Sequence, residues 1–358
     1  GRRPLLVFKL LILDAEIVMS RSQISVVMPC YNAADSVGRA IESILAQSFA
    51  DWELIVIDDG SNDHSADVIE SYVRNHSEKI KLVRSQHHGV VAASNRGYSL
   101  ATTPIIARMD ADDYSLPQRL EKQWQSLQES PEIDVVSCLA KFAGDAETAG
   151  GYAHHVKWAN SQVTAEQIRL SRFIDLPTPH PTLMFRRSLL ENGNAYRDGD
   201  FPEDYECFLR WISRGAKVAK VPEVLFEWHD PPTRLSRNNH RYDMAAFHCC
   251  KAPYLAQAIE QSGCADRELW IWGAGRPARK CASPLEKAWK RASGFIDIDP
   301  RKIGNTLQGR PVVSIENLPP AEQAVIVSYV ASRGAGDIIR KDLLEAGRIE
   351  GIDFWIAA

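Results

Sequence analysis

The chain has 358 residues, more than one hydrophobic core usually serves, so two domains are expected. Its apolar content of 45% and charged content of 25% are those of an ordinary globular protein. A net charge of -4 argues against a nucleic-acid binder held by phosphate contacts.

The cysteines are Cys30, Cys138, Cys207, Cys249, Cys250, Cys264 and Cys281, with no Cys-x-x-Cys among them. An odd, scattered set argues against a disulfide framework or a zinc site and points to a reducing, cytoplasmic compartment. Cys249 and Cys250 are read as a buried pair on a helix. Residues 1–21 carry a short apolar run, Leu5 to Leu13, too short to span a bilayer. They are read as an N-terminal extension, disordered or derived from an upstream sequence. The alternative is a short membrane-surface anchor.

From there the chain alternates. Ile24 to Met28 is a strand stopped by Pro29, and Asp35 or Ser36 caps a helix with Val37, Ile41, Ile44 and Leu45 on one face. Glu53 to Ile57 is a second strand, stopped by Asp58-Asp59-Gly60-Ser61. Val68, Ile69, Tyr72 and Val73 mark a helix, Ile80 to Val83 a third strand, and Val90 to Leu100 another helix. Pro104 opens a fourth strand, Ile105 to Met109, which runs into Asp110-Ala111-Asp112-Asp113. This alternation implies a mainly parallel sheet with helices on both faces. In such a sheet the acidic turns share one edge, where ligands bind. Close carboxylates repel unless a cation sits among them, and a hard divalent ion gripping a diphosphate meets that need. A solvated acidic turn capping the next helix is the plainer reading of the same residues.

Lys141 to Gln162, with Gly144 and Gly150-Gly151, reads as a loop or flap beside an acceptor site. Phe201-Pro202-Glu203-Asp204-Tyr205 opens a helix containing Phe208, Leu209, Trp211 and Ile212. Acids in a first helical turn usually serve the helix dipole. His180 lies between prolines, and His229 ends the apolar run Val224 to Trp228. Arg234 and Arg237 follow. His87 and His88 lack the spacing for a metal on a helix.

His240 to Gln261 reads as a helix broken by Ser262-Gly263, and residues 246–265 are read as a helical linker between two domains. Leu269 to Trp272, Gly294 to Asp297, Gly309 to Val313 and Ala324 to Val327 are then strands, with a helix over Ile338 to Ala346. Gly273-Ala274-Gly275-Arg276-Pro277-Ala278 follows the first of these strands, and Asp297 comes 22 positions after Gly275. That is the dinucleotide fingerprint, which puts Gly273 and Gly275 at phosphates and Asp297 at a ribose of an NAD-type nucleotide. A degenerate module used for assembly or docking is the favoured alternative.

Four ordered segments, Ile24 to Asn32, Leu54 to Asp63, Gly89 to Gly97 and Met109 to Pro117, resemble the nucleotide-binding half of family 2 glycosyltransferases with the GT-A fold. The resemblance continues at His180 to Arg187, Pro202 to Tyr205 and Trp228-His229, and covers residues 22–245. It departs at Ser94, where many relatives carry Arg. A smaller Rossmann-like α/β domain over 266–358 completes the expected architecture. The resemblance implies Pro29 and Tyr31 against a nucleotide base, Asp58 on the base imide and Asp110 on the ribose. It further implies Asp112 as ligand to Mn2+ or Mg2+ with His229 as a further ligand, and Asp204 as general base. Glu203 and His180 fall on the acceptor side.

The implied activity is inverting transfer of a sugar from a nucleotide-diphospho-sugar, UDP favoured, to a hydroxyl of a saccharide or lipid-linked acceptor. Surface polysaccharide or glycolipid synthesis is the implied setting. Peripheral contact at the inner membrane face and self-association through the second domain go with that reading. The alternative from another class is a non-catalytic nucleotide-sugar-binding regulator that works through the second domain. A nucleotidyltransferase fits less well, because no Gly-rich phosphate loop opens the chain.

Overall fold

The computed structural model describes residues 22–144, 150–193, 195–230, 237 and 239–358. The N-terminal extension and Arg234 lie outside the described residues. The first half alternates as its pattern requires: β1 (Ile24–Cys30), α1 (Val37–Leu45), β2 (Trp52–Asp58), α2 (Ser65–Asn75), β3 (Ile80–Arg84), α3 (Val90–Leu100), β4 (Ile105–Arg108) and β5 (Tyr114–Ser115). There follow α4 (Arg119–Glu129), β6 (Val135–Phe142), α5 (Gly150–Ser161), α6 (Ala165–Ser171), β7 (Met184–Arg186), α7 (Glu203–Ser213) and β8 (Val218–Trp228). These strands form one eight-stranded sheet in the order β3-β2-β1-β4-β7-β6-β8-β5. β1 to β4 pair parallel, while β7 runs antiparallel to β4 and β6.

β1 continues through Pro29 instead of stopping there. The Cys30 carbonyl accepts from Asp59 N–H beside β2, and the Val27 carbonyl accepts from Met109 N–H beside β4. Pro29, two positions beyond Val27, faces the β4 side past the last paired residue, Arg108. A missing N–H costs nothing there. The expected loop at Lys141–Gln162 is largely helical, since α5 occupies Gly150–Ser161. Val156 and Ala159 are buried under it. The Asn160 side chain clips α5 to β6 by exchanging hydrogen bonds with Ala140 N–H (3.0 Å) and carbonyl (2.7 Å).

The second half begins with α8 (Met244–Gln261), preceded by a short 3-10 turn at His240–Tyr242 instead of a continuous helix. Cys249 is exposed and only Cys250 is buried. Neighbouring helical positions point about 100° apart, so one face cannot take both. Then come β9 (Glu268–Trp272), α9 (Arg276–Ala288), β10 (Gly294–Ile296), β11 (Thr306–Leu307), β12 (Arg310–Val313), β13 (Ala324–Ser328), α10 (Ala335–Glu345) and β14 (Phe354–Ile356). They build a six-stranded sheet, β11-β12-β10-β9-β13-β14, parallel except for the β11–β12 hairpin.

Alternate residues of each parallel strand serve opposite faces. Val26, Met28, Leu54 and Val56 pack with α1 through Val37, Ile41 and Ile44. Val27, Ile55 and Ile57 belong to a cluster that takes in Phe208 and Trp211 of α7, Leu255 and Ile259 of α8, and Ile271 and Trp355 of the second sheet. Apolar burial therefore runs unbroken from one sheet to the other. Among the described residues no helix is long and apolar enough to cross a membrane.

Candidate active site

The ends of β1, β2 and β4 share one edge, because Cys30 pairs with Asp58 and Val27 with Arg108. Their loops are laced together. Asn32 takes the left-handed conformation (φ 49°) that asparagine tolerates. Its N–H donates to Ser61 Oγ (3.0 Å), and its side-chain oxygen accepts from Asn62 N–H (2.8 Å). Asp58 is buried and accepts from Ser61 N–H. Asp59 shapes the neighbouring loop, accepting from His88 and Gly89 N–H groups at 3.0 and 2.8 Å. Tyr31, 43% exposed, stacks on His87 with ring centroids 4.0 Å apart. The edge thus presents a flat aromatic pair beside a buried carboxylate. The Cys30 thiol is held far above its usual range by burial and then by Asp58, so it is not a nucleophile.

The acidic turn after β4 gathers Asp110, Asp112 and Asp113, with one carboxylate oxygen from each within 4.8 Å of the others. Arg108 Nη2 donates to Asp110 Oδ1 at 2.7 Å. Asp113 is buried and accepts from the main-chain N–H of His229 at 2.8 Å, which fastens the end of β8 to the turn. Arg39 of α1 donates to the Asp112 carbonyl at 2.9 Å. Burial, then Arg39, holds the His229 imidazole below its usual pKa, in the neutral form that a metal ligand needs. His229 is tied to this turn through its main chain, and its ring stands outside the group of three carboxylates. Three carboxylates beside one guanidinium suit a hard divalent cation.

Glu203 and Asp204 open α7. Both oxygens of buried Glu203 accept from the Tyr242 hydroxyl (2.8 and 2.7 Å), so Glu203 secures the first turn of the helix. Asp204 is half-buried, and burial together with the Glu203 charge pushes it up to about 7, against a smaller opposing pull from Arg108. A carboxyl poised there is matched to proton transfer near neutral pH. His180 is buried, with Nε2 bonded to the Tyr196 hydroxyl.

Arg237 pairs with Asp230 and lies over the Tyr152 ring. In the second sheet, Gly273 (φ 115°) leaves no room for a side chain, since a Cβ there would lie 2.6 Å from Ala278 Cβ. Gly275 precedes α9. The Asp297 carboxylate is engaged internally, accepting from Ala274 N–H (3.0 Å), Asp299 N–H (2.9 Å) and Lys302 Nζ (3.0 Å).

Sequence reasoning passed over Arg108, Tyr196, Arg39 and His87. A lone arginine in an otherwise apolar strand, next to three acids, was a signal available at Arg108. His87 was weighed only as a metal ligand, although it sits at the same sheet edge as Tyr31.

Comparison with known proteins bears on the family and the fold. The profile of Glycosyl transferase family 2 matches residues 25–193. The putative glycosyltransferase EpsE of Bacillus subtilis (strain 168) is 30% identical over 229 residues, 63% of this chain and 79% of EpsE. The O-antigen biosynthesis glycosyltransferase WbnJ of Escherichia coli is 28% identical over 245 residues, 66% of this chain and 89% of WbnJ. The crystal structure of S. aureus TarS 1-349 in complex with UDP-GlcNAc superposes with a TM-score of 0.55 at 16% identity, covering 74% of this chain and 71% of that one. It shares the fold, a GT-A-type arrangement of strands and helices. With the motifs at one sheet edge and relatives matching along most of their own length, the chain belongs to glycosyl transferase family 2.

Proposed function

We propose that the chain transfers a sugar, with inversion, from a nucleotide-diphospho-sugar to a hydroxyl acceptor. The observation that carries this reading is the acidic turn of Asp110, Asp112 and Asp113 on the sheet edge that also presents Tyr31 and Asp58. Tyr31 and His87 would stack on the base, with Pro29 beneath. Asp58, as a buried acceptor, suits a base with a ring N–H, as uracil has, and UDP is the favoured donor nucleotide. TarS, with the same fold, was solved with UDP-GlcNAc. Asp110, steadied by Arg108, would take a ribose hydroxyl.

Asp112 would hold Mn2+ or Mg2+, with Asp110 and Asp113 in the same turn and His229 at hand as a nitrogen donor. When bound, that cation offsets the charge of the departing nucleoside diphosphate. Asp204 accepts the proton of the acceptor hydroxyl, whose oxygen attacks the anomeric carbon from the face opposite the leaving group. The configuration therefore inverts, as with any base-assisted single displacement. Glu203, anchored by Tyr242, secures the helical turn that carries Asp204, and His180 lines the acceptor side.

We assign residues 22–245 to transfer, 246–265 to the connecting helix and 266–358 to a companion domain for assembly or docking. The engaged Asp297 argues for that role over an NAD-type site. An acceptor in surface polysaccharide synthesis follows WbnJ, which is named for O-antigen biosynthesis. A lipid-linked acceptor would bring the chain to the membrane surface. The test is nucleoside diphosphate release from a panel of nucleotide-sugars with Mn2+. One donor should turn over, and Asp204→Asn should lose at least about 10²-fold in rate. Turnover untouched in Asp204→Asn would remove the base from the mechanism.

A further inference from the structure

We propose that Arg108 is a positioning residue that ties the donor side of the site to the acceptor side, holding Asp110 directly and His180 through Tyr196. The proposal rests on the reading above, in which Asp110 meets the donor and His180 the acceptor. Arg108 Nη2 donates to Asp110 Oδ1 at 2.7 Å, and Nη1 donates to the Tyr196 hydroxyl at 3.3 Å and to Ser94 Oγ at 3.2 Å. The guanidinium carbon lies 5.6 Å from the centre of the Tyr196 ring. The Tyr196 hydroxyl also bonds His180 Nε2. Asn95 clamps the Tyr196 main chain from both sides, accepting from its N–H (3.0 Å) and donating to its carbonyl (2.9 Å). The chain of contacts therefore runs from Asp110 to His180 through two side chains that cannot swing away.

Packing alone does not explain this arrangement. Arg108 is 6% exposed in a strand whose other residues are apolar. Burying a cation is costly unless it is paired and its donors are filled. Among the described residues Arg108 makes an ion pair with Asp110, and its Nε is buried without a hydrogen-bond partner. His180 Nδ1 is buried in the same condition. An apolar side chain would fill the strand at lower cost. What Arg108 adds is a fixed fork. One arm pins one oxygen of Asp110, and the other fixes the hydroxyl that orients His180. A ligand that engages Asp110 thus acts on the partner that neutralises Arg108, and the change reaches His180. Ser94 completes the fork, since its hydroxyl accepts from a guanidinium that arrives from β4 instead of from its own helix.

The test is histidine-ring NMR on the full chain, with UDP, GDP and dTDP added in turn with Mg2+. The His180 signals are identified by their loss in His180→Gln. At saturation with the nucleotide that binds, the His180 ring signals should move in the wild type. In Tyr196→Phe, which keeps the ring but breaks the chain, they should move by less than half as much, with nucleotide raised to saturation. Arg108→Lys keeps the charge but not the fork. It should weaken nucleotide binding about tenfold, the loss of one charge-assisted hydrogen bond, and should also lose the His180 response. Nucleotide binding with no His180 response, or a full response in Tyr196→Phe, overturns the coupling and leaves the donor site standing. Failure of every nucleotide to bind the wild type overturns the donor site and this proposal with it.

Discussion

Asp204 meets two opposing demands. Burial and the Glu203 charge raise it to about 7, which suits a base at neutral pH but disfavours its ionised form in the folded chain. Two consequences follow. The base must be ionised to work, so kcat/KM should fall as pH drops below about 7, and this acid limb should vanish with the activity in Asp204→Asn. Stability runs the other way. The unfolded carboxyl ionises near pH 3.9 and the folded one near 7, so folding loses free energy as pH rises between those values. Asp204→Asn should therefore melt at higher temperature than the wild type at pH 8, and the gain should shrink towards pH 4. Calorimetry at both pH values checks this. At this scale the acids of the candidate site could be picked out in the sequence. Asp58, Asp110, Asp112 and Asp204 declare themselves as acids at strand ends or at a helix start. Arg108 and Tyr196 do not, because their partners come from segments up to 101 positions away, such as Ser94 and Tyr196 for Arg108 and Asn95 for Tyr196, and no local pattern encodes such a meeting.

Among the elements, α3 sets the distance between the sheet and the Ser94–Asn95 pair. It approaches β1 so closely that a Cβ on Gly97 would stand 2.3 Å from Val27 Cγ1. Gly97→Ala must push the helix outward, and overpacking of this kind costs about 1–3 kcal/mol. A lower midpoint in urea, with unchanged slope, is the expected result. Strands β1 to β4 and helix α3 could be read from the chain to within two residues at each end, and the apolar positions expected of α1 and α2 fall inside those helices. α5 could not. Its two leading glycines and weak amphipathicity read as loop, and what holds it is tertiary: buried Val156 and Ala159 and the Asn160 clip to Ala140. The strand through Pro29 was missed for a related reason, since a proline stops a strand only where a partner awaits its N–H.

Over the whole molecule, Lys251 of α8 joins the two halves. Its buried ammonium donates to the carbonyls of Phe173 (2.7 Å) and Ala357 (2.8 Å), one on each side. Burial lowers it to about 8. The unfolded lysine still binds its proton up to about pH 10.4. Between about 8 and 10.4 the unfolded state therefore holds more protons, and stability from this group rises with pH. The melting temperature of the wild type minus that of Lys251→Met should increase over that interval. A difference flat in pH would remove Lys251 from the link. The alternation of elements made the two sheets foreseeable, but not the unbroken apolar cluster between them, which depends on α8 facing both.

The central claim, a metal-assisted nucleotide-sugar site on the edge of the first sheet, is tested most directly by thermal unfolding with Mn2+ and UDP, GDP or dTDP, on wild type and Asp112→Ala. A ligand at about 100 times its dissociation constant stabilises the folded state by about 2.7 kcal/mol. The expected result is an upward shift with one nucleoside diphosphate that needs Mn2+ and is lost in Asp112→Ala. A shift that ignores both the metal and the substitution, or no shift with any of the three, would contradict it.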